Sequence, residues 1–163
     1  VSVLVLALFA EGATDNRFLP VVIQRSTQQL IARRGRDTTD VLEPLIVSVS
    51  TEIRGGDERI LDAARQTEGY HALIIHADAD HPTRDRALTE RFQPGLLLVQ
   101  EEDINHHLVP LIPIRMTEAW VLADPEALLK VIGTRMTIND LGLPSHPHQI
   151  ESDPDPKQTL NGV

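Results

Sequence analysis

No cysteine occurs in the 163 residues, which excludes disulfides, thiolate nucleophiles and zinc-thiolate sites. A reducing, cytoplasmic setting is the default expectation. Aromatic residues are nearly as scarce, at 3% of the chain, so Val, Ile, Leu and Ala must build the core, as suits a parallel sheet covered by helices. Long apolar runs are missing too. The opening stretch, Val1 to Ala10, falls well short of the ~20 residues that span a bilayer and carries no basic leader or cleavage site. It reads as a buried first strand, with no membrane role expected. Positive charge is also short: 24 acidic residues against 15 basic ones give a formal net charge of −9. Such a balance argues against a chain that clamps nucleic acid by charge alone.

What is present is aliphatic and alternating in type. The length fits one compact domain, and 41% hydrophobic residues is enough for a core of ordinary size. Val1 to Phe9 predicts a strand ending at the Gly12 turn. Phe18, Leu19, Val22, Ile23, Leu30 and Ile31 then fall at helical spacing up to Arg33-Arg34-Gly35. A second strand is expected in Pro44 to Ser50, followed by a loop at Arg54-Gly55-Gly56 with Asp57 as the cap of a helix running to Glu68. His71 to Ala77 predicts a third strand, with Gly69 as the stop before it.

Thr83 to Phe92 predicts a polar helix broken at Pro94-Gly95, and Gln100 to His107 reads as loop. A fourth strand is expected between Leu108 and Ile114, where Pro110 and Pro113 would place it at an edge or mark its ends. Thr117 to Ala123 looks helical. Asp124-Pro125-Glu126 then supplies a cap, a first-turn proline and an acidic first turn, with Gly133 as the stop. Asp155-Pro156-Lys157 begins a last short helix.

Two acidic stretches follow two of these apolar runs: Glu11-Gly12-Ala13-Thr14-Asp15 after the first, and His76-Ala77-Asp78-Ala79-Asp80 after the third. Ligands of open parallel sheets bind beyond the carboxyl ends of the strands, so a glutamate at one end and Asp-x-Asp at another can converge on one cation. Mg²⁺ takes one or two carboxylates together with phosphate oxygens, and Mn²⁺ can substitute. Asp78 and Asp80 are the expected ligands. Glu11 has two available jobs, as a ligand or as the general base or acid for attack on phosphorus. Gly12 allows close backbone approach to a phosphate, Thr14 can donate its hydroxyl to one, and Asp15 is either a further ligand or a helix cap.

After the fourth strand, Arg115 would stabilise phosphoryl charge and Glu118 would join the same crevice, unless the pair simply starts a helix with Trp120 as its core anchor. His76 and His81 suit a softer metal, but a histidine beside aspartate is more often structural or solvated. Of the 15 basic residues 13 are Arg, the better bidentate phosphate donor. For most of them, a solvated helix face with acidic neighbours is the competing reading.

In this order, Glu11-Gly12 after an apolar strand and Asp78-Ala79-Asp80 after another, the chain resembles the Toprim domain of type IA and II topoisomerases, bacterial primases and overcoming-lysogenization-defect nucleases. The segment Arg115-Met116-Thr117-Glu118-Ala119-Trp120-Val121-Leu122-Ala123-Asp124 looks like a signature of an uncharacterised bacterial Toprim-related family. The resemblance covers roughly residues 1–133 and leaves 134–163 as a C-terminal extension. It implies an α/β, Rossmann-like domain with a central, mostly parallel four-stranded sheet flanked by helices, Glu11 as acid/base residue, and Asp78 and Asp80 as Mg²⁺ ligands.

Topoisomerase activity is not implied, because the sole tyrosine, Tyr70, precedes a strand and is poorly placed for transesterification. A primase zinc module would need ligands that a cysteine-free chain lacks. By analogy at the level of fold, the expected activity is a Mg²⁺-dependent nuclease acting on nucleic acid or another phosphate ester. The alternative is a metal- or nucleotide-binding module of a multi-component system, such as phage defence, working with a protein partner such as an ATPase.

Overall fold

The computed structural model describes the chain except residues 1, 11, 35–37, 80–82, 105–106, 115, 144–145 and 151, and the side chains at 147 and 148. Glu11, Asp80 and Arg115 therefore lie outside the described residues. The chain packs as two compact units. One comprises residues 1–77 and 85–112, and the other comprises residues 78–84 and 113–163. Residue 133, the expected edge of the α/β domain, falls inside the second unit.

The first unit is α/β. Its strands are β1 (Ser2–Leu4), β2 (Leu6–Phe9), β3 (Thr39–Val41), β4 (Leu45–Ile46), β5 (Ala72–His76) and β6 (Leu108–Leu111). β2, β4, β5 and β6 form a four-stranded sheet in the order β4-β2-β5-β6, and β1 pairs with β3 in a separate two-stranded sheet. Every pairing is parallel. The expected first strand thus serves two ladders.

The register explains the break. Ser2 lies opposite Thr39 and Leu4 opposite Val41, an offset of 37, whereas Ala7 lies opposite Leu45 and Leu8 opposite Ile46, an offset of 38. One extra residue enters the partner strand at 42–44. Pro44 sits there and has no N–H to give to a ladder, so pairing lapses and resumes one residue out of step. Thr39–Val41 is too short and polar to be seen as a strand in the sequence, and the expected strand at 44–50 shrinks to Leu45–Ile46.

Two buried faces follow from the period-two alternation of strands. Ala7 and Phe9 of β2 and Leu73 and Ile75 of β5 pack with Ile60, Ala63 and Ala64 of α2 (Gly56–Gln66) and Val99 of α4 (Gln93–Glu101). Leu6, Leu8 and Ile74 fall on the opposite face, where α1 (Asp15–Arg34) brings its own buried Leu19, Pro20 and Ile23. Each buried Leu, Ile, Val or Phe side chain contributes about 1.5–3 kcal/mol by leaving water and each Ala less, so this aliphatic core needs few aromatics.

β6 lies at the sheet edge with Pro110 inside it, as the proline chemistry required. The α2 cap is Gly55 and makes no side-chain hydrogen bond. Asp57 is therefore a first-turn residue and not the cap. Its carboxylate instead adds favourable charge at the helix start.

The expected break at Pro94-Gly95 does not occur. A short helix α3 (Asp85–Ala87) runs into a π-helical turn at Leu88–Phe92 and on into α4, which reaches Glu101 and takes up the start of the expected loop. The Gln93 N–H reaches back to the Leu88 carbonyl, the wide π spacing. That widening precedes Pro94, whose missing N–H is harmless in a first turn. Gly95 is buried against α2. A Cβ there would lie 2.6–2.8 Å from Ile60 side-chain carbons.

The second unit is helical among the described residues: α5 (Thr117–Leu122), α6 (Pro125–Ile132), α7 (Pro147–Ile150) and α8 (Pro156–Asn161). Ala119, Leu122, Leu143 and Ile150 form its small core. Asp124 and Asp155 cap α6 and α8 by accepting the N–H groups of Ala127 and Gln158, each three residues on, at 3.0 and 2.9 Å. Gly133 ends α6 with φ of 72°, the left-handed conformation that favours glycine. No described helix is long and apolar enough to cross a membrane.

Candidate functional site

The strand order reverses direction between β2 and β5. From β2 the chain moves through α1 to β4 on one side. It then passes through α2 to β5 on the other side. Right-handed crossovers in opposite directions place α1 and α2 on opposite faces, and a crevice opens between the carboxyl ends of β2 and β5. Phe9 lies directly opposite Ile75 at those ends. β2 ends at Phe9 and β5 at His76, the last described strand residues before the two acidic stretches of the sequence.

The turn after β2 is built by its backbone. The Gly12 carbonyl accepts the Asn16 N–H at 3.2 Å, and the Thr14 carbonyl accepts the N–H groups of Arg17 and Phe18 at 3.0 and 3.2 Å. The Thr14 side chain faces solvent. Asp15, the first residue of α1, holds Oδ2 3.8 Å from Nδ1 of His76, whose side chain is 1% exposed. That distance is an electrostatic contact rather than a direct hydrogen bond.

Gly12 is needed for this arrangement, because a Cβ there would collide with the same Asp15 Oδ2. Gly12→Ala is therefore expected to turn the Asp15 carboxylate away from His76 at a stability cost under about 1 kcal/mol, since the displaced group is a side-chain end. The imidazole resonances of His76 should shift in NMR spectra. Unchanged resonances would contradict the contact.

On the α2 side the same strand ends border a cavity of about 230 Å³, below the usual range of about 300–1,000 Å³ for small-ligand pockets. Phe9, Ile75 and Phe92 give it apolar walls, and Arg59, His76 and Arg91 are its charged or titratable side chains. The Arg59 guanidinium lies 5.3 Å from the centre of the Phe9 ring, within cation-π range. Its Nε is sealed from solvent and has no hydrogen-bond partner among the described residues.

Of the sequence-predicted site residues, Gly12, Thr14 and Asp15 stand together at the β2–α1 turn. Asp78 and Glu118 belong to the second unit, where both are half-buried. Within that unit the Ala79 N–H donates to the Pro113 carbonyl at 3.0 Å. Thr117, beside Glu118, is buried at 5% exposure. Among the described residues no group of three or more His, Asp or Glu is placed to hold a metal.

Sequence reasoning missed the cavity. Arg59 and Arg91 read as two more surface arginines, and the reading is right for others: Arg86 pairs with Glu90 four residues on at 2.9 Å, and Arg65 forms a forked pair with Glu102. The available signal was Gly55-Gly56 before Arg59, a helix start without a capping side chain. No family model, curated protein or solved structure matches the chain. The class its first unit defines is an α/β fold with a parallel four-stranded sheet flanked by helices, compatible with a Rossmann-like arrangement.

Proposed function

We propose that the chain is a Mg²⁺-dependent phosphoryl-transfer enzyme of Toprim-like type, a phosphodiesterase acting on nucleic acid. One observation carries most of the support: β2 and β5 are neighbours at the point where strand order reverses. The two acidic stretches therefore begin from adjacent strand ends, where α/β sheets hold their ligands. Asp78, Asp80 and Glu11, with Asp15 nearby in sequence, offer the hard oxygen donors that Mg²⁺ takes. A bound Mg²⁺ would supply Lewis-acid stabilisation of phosphoryl charge.

In this reading Glu11 takes the proton of the attacking water. Arg115 offsets charge developing on the phosphoryl oxygens, and Glu118 serves the same crevice. Gly12 and Thr14 border the phosphate. The net charge of −9 favours a second reading, a metal- or nucleotide-binding module whose partner, such as an ATPase, supplies the strand-gripping surface.

The purified chain, incubated with single- and double-stranded DNA and RNA, is expected to cleave at least one of them with Mg²⁺ or Mn²⁺ and none with EDTA. Asp78→Ala should lose the activity by about 100-fold or more, as expected when transition-state charge stabilisation is removed. Cleavage no better than that of the variant would sink the enzyme reading, and activity regained only with a co-purifying partner would favour the module.

A further inference from the structure

We infer that the cavity between α2, the π turn and the ends of β2 and β5 is a binding site for a phosphate monoester attached to a flat or apolar body. This goes beyond the metal-centred reading and stands without it, since none of the residues invoked is a proposed metal ligand. In a chain of net charge −9, no acidic side chain lines this cavity among the described residues, while Arg59 and Arg91 both do. A local excess of positive charge inside an acidic protein calls for an anion.

Arg59 gives the strongest reason. Its guanidinium is held over the Phe9 ring at 5.3 Å, which restricts where the donor fork can sit. Its buried Nε has lost water without gaining a hydrogen-bond partner among the described residues. A charged donor left in that state is unfavourable unless an acceptor arrives. A phosphate fits because it offers several oxygens to two guanidinium groups at once. Gly56, the first residue of the 11-residue helix α2, also lines the cavity. A Cβ there would meet nothing within 4 Å, so the backbone is open to a ligand at the helix end that favours anions.

The remaining walls set the rest of the ligand. Phe9, Ile75 and Phe92 present apolar surface, suited to a sugar face or a base. A volume of about 230 Å³ limits the enclosed part of the ligand to one small phosphate-bearing group of at most nucleotide size. The terminal phosphate of a free mononucleotide and that of a single strand share this chemistry.

The experiment uses the intact chain in EDTA, so that metal chemistry plays no part. Adenosine 5′-monophosphate, adenosine, inorganic phosphate, and a dinucleotide with and without a 5′-phosphate are each titrated and followed by calorimetry and amide NMR. Adenosine 5′-monophosphate should bind with shifts centred on Gly56, Arg59 and Arg91, and adenosine should bind at least tenfold more weakly. Arg59→Gln and Arg91→Gln should each weaken binding by roughly 10- to 100-fold. Arg86→Gln, which removes an exposed arginine paired with Glu90, should change it less than about twofold.

Arg91 is exposed, so its variant keeps the test valid if Arg59→Gln does not fold. Binding of the 5′-phosphorylated dinucleotide as well would identify a strand end, and its exclusion would identify a free mononucleotide. Adenosine binding as well as its monophosphate, affinity that survives the Arg91 substitution, or no binding of any phosphorylated probe at millimolar concentration would overturn the assignment.

Discussion

Glu11→Gln is expected to lower metal-dependent cleavage by about 10²- to 10⁴-fold, the range that a positioned proton-transfer group contributes. The substitution keeps size and hydrogen-bonding capacity but removes the basic oxygen. Comparison with Asp78→Ala separates the two roles available to Glu11. As a general base, its loss lowers turnover while Mn²⁺ affinity stays within a few-fold, whereas Asp78→Ala lowers both. As a ligand, its loss weakens Mn²⁺ binding in parallel with activity. Turnover by Glu11→Gln within threefold of the parent would remove Glu11 from the chemistry altogether.

Gly95→Ala should destabilise the first unit by about 1–3 kcal/mol, the usual cost of forcing a methyl into a filled core, and Gly95→Leu should cost more. Helix propensity argues the other way, because Ala in a helix interior is favoured over Gly by about 1 kcal/mol. The clash wins because its partner is Ile60 Cβ, 2.6 Å from the new carbon. That atom is tied to the α2 backbone and cannot rotate away. A fall in melting temperature of roughly 2–12 °C is expected for Gly95→Ala, at about 2–4 °C per kcal/mol. Since Ile60 also lines the cavity, the same variant should weaken binding of adenosine 5′-monophosphate. A rise in melting temperature would show that propensity outweighs packing and that α2 and α4 do not meet so closely.

Much of the fold is legible in the sequence because its strongest signals are local. Unbroken aliphatic runs give β2 and β5, apolar spacing gives α1 from Asp15 to Arg34, and Asp-Pro-Glu with Gly133 bounds α6. The parallel character follows from strands buried on both faces and joined by helices. What is not legible depends on contacts between distant residues. Pro94-Gly95 reads as a breaker by propensity, yet a π turn absorbs the proline and the close approach of α2 gives the glycine its place. Thr39–Val41 becomes a strand only because Ser2–Leu4 lies beside it.

The candidate site divides in the same way. Its acidic half stands out in the sequence, because carboxylates after apolar runs are uncommon enough to notice. Its basic half does not, because nothing local distinguishes Arg59 or Arg91 from the arginines that pair with Glu90 and Glu102. Only the sheet brings Phe9, Ile75 and the two arginines to one cavity. His76 belongs with them. A histidine beside an aspartate reads as structural, and the relevant carboxylate proves to be Asp15, 61 positions away in the chain and 3.8 Å away in space.

Anomalous diffraction from crystals soaked in Mn²⁺ decides whether the carboxylates following β2 and β5 hold one divalent cation, as proposed. The expected result is a peak coordinated by Asp78, Asp80 and Glu11 that disappears in Asp78→Ala crystals. No peak at saturating Mn²⁺, or one held by histidine nitrogens away from these three residues, would contradict it.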